Sequence, residues 1–182
     1  MGTLINSTYV ALDGVVENPH LWPSTGEGDA TGEQVQTDLL RAADALVMGR
    51  RTYEGFAPVW PTRSGDPYSA KINSMPKYVA STTLTAPEWA NTQVIADDAV
   101  GAIGRLKNDG LSLVQYGIGS LTSALMAAGL VDELRLWMYP LFVGGSAQDS
   151  LLGHCPPGVW RLTDVTRLNN DIVILGYRAD RS

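Results

Sequence analysis

Ala45-Leu46-Val47-Met48-Gly49-Arg50-Arg51-Thr52 and Leu113-Val114-Gln115-Tyr116-Gly117-Ile118-Gly119-Ser120 decide the reading of this chain. In each, a short apolar run reads as a buried strand, ends at glycine and leads into a predicted helix. A strand–glycine–helix junction leaves backbone N–H groups unused at a helix N-terminus, where the helix dipole also favours negative charge. Such a junction can hold phosphate. Two of them on one chain suit a ligand with phosphates at two places, as in a dinucleotide. Arg50 and Arg51 add positive charge beside the first. The second is Gly-x-Gly only, short of the full dinucleotide fingerprint, and either stretch taken alone reads equally as a tight structural turn.

Outward from these two junctions, strands and helices alternate. Thr3–Leu12 reads as a strand closed by Asp13-Gly14, and residues 17–32 as a long Pro-, Gly- and Ser-rich loop. A helix is predicted over Glu33–Ala43, strands at Ala45–Met48, Lys77–Ser81, Gln93–Ala96 and Leu111–Gln115, and short helices at Arg51–Phe56 and Tyr68–Ser74. Asp97 or Asp98 caps a helix reaching Lys107, and Ser120–Ala128 forms another, closed by Gly129. Beyond Val131 the pattern changes to strands at Glu133–Pro140, Trp160–Leu168 and Ile172–Ala179, the last two joined by Asn169-Asn170-Asp171. Alternation followed by an antiparallel end predicts an α/β fold with a mixed sheet. The 182 residues are expected to form one domain, 1–182.

Composition narrows the function classes. A formal net charge of −6, with no long Lys/Arg run, argues against nucleic acid and anionic membranes as partners. The N-terminus lacks a signal-peptide pattern and no stretch is long and apolar enough to span a membrane, so a cytoplasmic location is expected. Cys155 is the single cysteine and sits in no base-bearing motif; His20 and His154 fall in no metal-ligand spacing, so no metal is expected.

The ordered set Ala11-Leu12-Asp13-Gly14, Leu46 to Tyr53, Lys77 to Thr82, Tyr116 to Leu121 and Val131 to Leu136 resembles the dihydrofolate reductase fold, in the branch of the RibD C-terminal reductase domain of riboflavin biosynthesis. The resemblance covers nearly the whole chain. It implies a three-layer α/β/α fold with a mostly parallel mixed sheet and an antiparallel C-terminal hairpin. It also implies NADPH as cofactor, hydride transfer to a small heterocyclic or carbonyl substrate, and a homodimer.

By the same resemblance, Gly49, Arg50, Arg51 and Thr52 meet the adenosine half of NADPH. Arg50 or Arg51, with Ser81 and Thr82, read the 2′-phosphate; forked guanidinium donors and hydroxyls suit a dianion. Gly117, Ile118, Gly119, Ser120 and Leu121 hold the pyrophosphate, and Val10, Ala11 and Gly14 flank the nicotinamide. Tyr116 reads equally as a strand-end core residue or as a residue beneath the nicotinamide. Glu33 stands where the family carries a carboxylate that supports protonation, with Asp29 and Asp38 as neighbours; its plainer role is a first-turn acid complementing the helix dipole. Asp13 either orders the loop beside the nicotinamide or makes an ordinary turn. Trp22, Phe56 and Trp60 are expected at the substrate, core packing being the competing role.

The run Leu136 to Val143 is more continuous than a half-exposed strand needs. A dimer interface would supply the second cover; so would the chain's own helices. Two further function classes stay open beside the reductase: a non-catalytic nucleotide- or small-ligand-binding module on the same fold, and an interaction protein using the 136–143 region.

Overall fold

A computed structural model describes residues 1–26 and 28–180; the part of the predicted 17–32 loop at Glu27 lies outside them. Strand β1 is Leu4–Ala11, and Pro19–Leu21 forms a single 3₁₀ turn. Helix α1 spans Ala30–Ala42, starting three residues before the predicted Glu33. The reason is Asp29, whose Oδ1 accepts from the Thr31 and Gly32 N–H groups at 2.8 and 3.1 Å and so caps the helix early. Strand β2 (Ala45–Gly49) runs directly into α2 (Arg50–Phe56). Helix α3 (Pro67–Ser74) is capped by Asp66 and stops before Pro76, as the sequence predicts. Then come β3 (Lys77–Ala80), β4 (Thr92–Ile95) and α4 (Ala99–Asn108), with Asp98 as the cap. Strand β5 is Leu113–Tyr116, two residues later than predicted, and α5 is Ser120–Ala127. Strand β6 is Glu133–Tyr139. A 3₁₀ turn at Ala147–Asp149 and the one-turn helix α6 (Leu151–His154) carry no periodic signal and were not expected. Strands β7 (Trp160–Arg167) and β8 (Val173–Ala179) complete the chain.

The chain divides into two units, one of residues 1–4 and 34–116, the other of residues 5–33 and those from 117 onward. In the first, the strands lie in the order β4-β3-β2-β5, all parallel. Leu46, Val47 and Met48 are buried on both faces of β2, which explains their unbroken apolar run. Each contributes roughly 1.5–3 kcal/mol of burial. Lys77 opens β3 and is also fully buried. Its Nζ donates to the carbonyls of Asn73, Met75 and Ala90 at 2.9, 2.8 and 3.0 Å and lies 4.5 Å from the Trp89 ring centroid. Burial pulls this ammonium down to about 8, while the three carbonyls and the ring face favour its charge. Lys77 thus pins the end of α3 to the loop before β4.

In the second unit the order is β1-β6-β8-β7. β1 and β6 are parallel, whereas β6, β8 and β7 are antiparallel. Leu168 N donates to Ile172 O at 2.9 Å and Asp171 takes φ 63°, which closes the C-terminal hairpin at the predicted connector. Leu136 and Met138 pack onto the core of Val10, Val16 and Ile118. From the other face Trp137, 4% exposed, donates to Ser7 Oγ at 3.1 Å, and Gly32 abuts its ring. A methyl group at Gly32 would come within 2.9 Å of Leu168 and 3.2 Å of Trp137. Within β6 itself, Leu134 and Trp137 are buried and the other five residues half-buried. Past Tyr139 the run leaves the strand, and Phe142 is 74% exposed. No helix among the described residues is long and apolar enough to cross a membrane.

Candidate functional site

In the second unit the Gly117 turn is held from beneath. Asn6, fully buried in β1, donates its Nδ2 to the Gly117 carbonyl at 2.7 Å, and Thr8 Oγ1 fixes Asn6 by donating to its Oδ1 at 2.7 Å. Gly117 N donates to Ser7 O at 3.2 Å, and Gly117 itself sits at φ 76°, a conformation that suits only glycine well. Thr122 Oγ1 approaches both the Gly117 carbonyl and the Gly119 N–H at 3.4 Å. These contacts turn the polar groups of residues 117–119 into a fixed frame at the start of α5. The helix makes no internal use of the Ser120 and Leu121 N–H groups in its first turn. A Cβ built on Gly119 meets nothing within 4 Å, so the space over this turn is open to a ligand.

Of the other residues expected here, Val10 and Ile118 are core, and only their backbone is left for recognition. Ala11 is buried, its N–H on Val15 O and its carbonyl accepting from Gly14 N at 2.8 Å. Gly14 takes φ 83° and its carbonyl accepts from Leu151 N. Leu121 is half-buried and Ser120 exposed.

In the first unit Arg50, Arg51 and Thr52 open α2, and the space over Gly49 is likewise free of side chains within 4 Å. Arg50 Nε donates to Glu54 Oε1 at 2.6 Å and its Nη1 to the Thr83 hydroxyl. That second bond brings the first arginine of the pair to the segment just after β3, where Ser81 and Thr82 lie. Ser81 Oγ accepts from the Thr83 and Leu84 N–H groups at 3.2 and 3.0 Å, which folds this segment into a tight turn. A guanidinium, three hydroxyl residues and a glycine turn are thus gathered in one neighbourhood; Arg51 and Thr82 are exposed. Tyr116, at the end of β5, is 9% exposed and its hydroxyl lies 3.0 Å from that of Tyr68. Phe56 packs on Tyr116 at 6.0 Å and on Trp60 at 6.0 Å, and Trp60 on Tyr68 at 5.1 Å, giving a ring of four aromatic side chains.

Trp22 belongs to a second aromatic row, in the other unit. It meets Tyr139 edge-on at 5.6 Å, Tyr139 meets Tyr9 at 5.0 Å, and Tyr9 meets Trp137 at 5.7 Å. Burial, then the neighbouring Tyr9, pushes the Tyr139 phenol above its ordinary value, so it stays protonated.

The carboxylates divide clearly. Asp13 Oδ2 accepts from the Val143 and Gly144 N–H groups at 2.9 and 2.8 Å, which holds its carboxyl below the usual range, the Gly144 bond contributing most. It ties two loops together. Glu33 lies exposed in the first turn of α1, its Oε1 close to Gly28. The buried carboxylate at the start of α1 is Asp29. Besides capping the helix it accepts from Asn169 N at 2.7 Å, the bond that most lowers its pKa. Asp38, the remaining neighbour, is exposed and engaged with Gln34 and Arg41. Cys155 is half-buried and burial raises its thiol, which makes it a poor nucleophile.

Sequence reading missed Asn6, Ser7 and Thr8 as site residues. Their signal was three consecutive polar side chains inside a strand flanked by buried apolar ones, because buried polar groups need partners.

The strand order, the hairpin and the two glycine turns define an α/β protein of the dihydrofolate reductase-like class. The RibD C-terminal domain family model matches residues 3–174, so the chain belongs to that family. It is 31% identical over 151 residues to the uncharacterized protein YyaP of Bacillus subtilis strain 168, covering 78% of this chain and 76% of YyaP. A crystal structure of a Shewanella sp. PV-4 protein assigned to riboflavin biosynthesis superposes with TM-score 0.72 at 20% identity, covering 98% of this chain and 99% of that one. A Thermotoga maritima diaminohydroxyphosphoribosylaminopyrimidine deaminase/5-amino-6-(5-phosphoribosylamino)uracil reductase superposes with TM-score 0.66 at 13% identity. There the match covers 98% of this chain but 57% of the longer one. At such identities the structural likeness speaks to fold.

Proposed function

We propose that this chain is an NADPH-dependent reductase acting on a small planar heterocycle or carbonyl compound, in the manner of a pyrimidine reductase. The observation that carries the proposal is the Gly117 turn, tied down by Asn6, Ser7 and Thr122 just before Ser120 and Leu121, whose N–H groups the helix does not use internally. Arg50, held beside Ser81, Thr82 and Thr83, supports a second anionic group on the first unit. Family membership supports the reaction class.

NADPH, when bound, supplies the hydride; the chain supplies binding, orientation and electrostatics. The Ser120 and Leu121 N–H groups neutralise diphosphate charge. Arg50 exchanges its Glu54 contact for the 2′-phosphate, and Arg51 adds charge at the same turn. In the first unit, Phe56 and Trp60 offer ring faces to a planar substrate. Asp13 and Asp29 are poor proton donors, because backbone N–H bonds hold both ionised. Water or Glu33 fills that role.

That same engagement of two carboxylates favours a second reading, a small-ligand-binding module without turnover. Binding and oxidation of NADPH separate the two: a nucleotide that binds but is never oxidised, across a panel of pyrimidines, pterins and carbonyl compounds, favours the module.

A further inference from the structure

The turn that carries Trp60 is held by one residue of α3, Asn73. Trp60–Thr62 forms a single 3₁₀ turn in which Thr62 N donates to Val59 O at 3.3 Å and Arg63 N to Trp60 O at 3.0 Å. A 3₁₀ piece this short has poor hydrogen-bond geometry and little stability of its own. Among the described residues, the hydrogen bonds that reach residues 60–63 from another element come from Asn73, whose Nδ2 donates to Trp60 O at 2.9 Å and to Arg63 O at 3.4 Å. Arg63 lays its guanidinium over the Trp60 ring, 4.9 Å from the centroid, so ring and cation move with the two carbonyls that Asn73 holds.

Asn73 is itself fixed on two sides. Its Oδ1 accepts from the Trp89 indole N–H at 2.8 Å, and its main-chain carbonyl, in the last turn of α3, accepts from Lys77 Nζ at 2.9 Å. Trp89 is 3% exposed and donates its main-chain N–H to the Tyr53 hydroxyl at 3.2 Å, so the anchor lies in the core of the first unit. The chemistry of the partners leaves the amide one orientation. An indole N–H can only donate and a carbonyl can only accept, so Oδ1 must face Trp89 and Nδ2 the turn. Aspartate at this position would keep the acceptor and lose both donors. In the first turn of the same helix, Tyr68 meets the Trp60 ring at 5.1 Å. Helix α3 therefore holds Trp60 twice, by its ring through Tyr68 and by its main chain through Asn73.

We infer that Asn73 is a positioning residue for the substrate, acting through Trp60: its amide sets where the Trp60 ring stands in the aromatic wall of the first unit. The inference rests on the reading of Trp60 as a substrate contact. A planar ligand gains from an aromatic ring only at the right distance and tilt, and a site is as precise as the bonds that support its contact residues. A purely structural amide would serve every ligand of the fold alike. A positioning one affects the planar ligand and spares the nucleotide.

Fluorine NMR of the full chain labelled with fluorotryptophan tests it, the Trp60 signal being identified by its loss in Trp60→Phe. Asn73→Asp should shift or broaden the Trp60 signal without ligand. It should weaken pterin, used as the planar probe, about three- to tenfold, the worth of one aromatic contact, and leave NADPH affinity at the wild-type value. An unmoved Trp60 signal overturns the inference. So does an unchanged pterin affinity, or one that falls in step with NADPH affinity and so marks a general loosening. Should Asn73→Asp fail to fold, Asn73→Gln keeps donor and acceptor but displaces the amide by a methylene. It should move the Trp60 signal and weaken pterin, and a wild-type value for either overturns the inference. A wild type that leaves pterin unbound fails the substrate reading instead. The Trp60 signal without ligand then decides: an unmoved signal in Asn73→Asp overturns the hold of Asn73 on Trp60, and a moved one upholds it.

Discussion

Asn6 and Gly117 are 111 residues apart in sequence and joined at 2.7 Å, the buried amide of β1 donating to the carbonyl of the glycine that opens the α5 turn. This bond fixes the direction of the peptide between Gly117 and Ile118, and with it the frame in which the first-turn N–H groups of α5 are presented. Replacing Asn6 by Leu removes the donor and leaves a carbonyl without its partner. The expected loss of stability is about 1–3 kcal/mol, with a larger loss of nucleotide affinity than Thr8→Val produces. Chemical denaturation beside nucleotide titration checks both; equal affinity in the Asn6→Leu variant would remove Asn6 from the site.

Gly117→Ala places a Cβ on a residue at φ 76°. A left-handed conformation costs roughly 1–2 kcal/mol for a residue other than glycine. Gly119→Ala, whose added Cβ meets no protein atom within 4 Å, should fold normally and instead obstruct the ligand. Thermal melts with and without nucleotide distinguish strain from obstruction.

Arg50→Ala and Arg51→Ala should weaken NADPH far more than NADH, because a lost charged hydrogen bond to the 2′-phosphate is worth about 1.5–3 kcal/mol. Glu54→Gln, which releases Arg50 from its 2.6 Å contact, should strengthen NADPH binding. Equal weakening of both nucleotides by the arginine substitutions would show that neither guanidinium reads that phosphate.

Asp13, Asp29 and Asp66 all have carboxyl groups held below the ordinary value by hydrogen bonds from N–H or hydroxyl groups. A carboxylate whose folded pKa lies below its unfolded one contributes stability that is present above the unfolded value, near 3.8, and is lost as pH falls toward the folded one. Acid unfolding should therefore set in below about pH 4. Asp29→Asn should lower stability at neutral pH and flatten the acid limb, since Asp29 serves both the α1 cap and Asn169. An acid limb as steep as the wild type's would contradict this.

Lys77→Met keeps the chain length of the side chain but strands three buried carbonyls. The expected cost is about 3 kcal/mol or more, read as a shifted denaturation midpoint with unchanged nucleotide affinity once folded.

Elements with a strong local signal were legible in the sequence. The β2 and β5 runs, the Asp98 and Gly129 ends of helices and the Asn169–Asp171 connector all stand where residue chemistry puts them. The early start of α1 was not legible, because Asp29 caps it while also bonding Asn169 in a distant turn, and Gly32 within its first turn is required by Trp137. Nor was the support of the Gly117 turn, which rests on side chains 111 residues away. The apolar run at 136–143 is used unevenly: Leu136 and Met138 pack on the unit's core, Trp137 is buried, and Phe142, past the end of β6, is 74% exposed, a division that the unbroken run does not reveal.

The most direct test of the reductase account is titration of the purified chain with NADPH, and with NADH in parallel, followed by tryptophan and nicotinamide fluorescence. The account predicts saturable binding with a clear preference for NADPH that the Arg50→Ala/Arg51→Ala variant loses. Absence of binding by either nucleotide would contradict it and leave the two glycine turns as structural features alone.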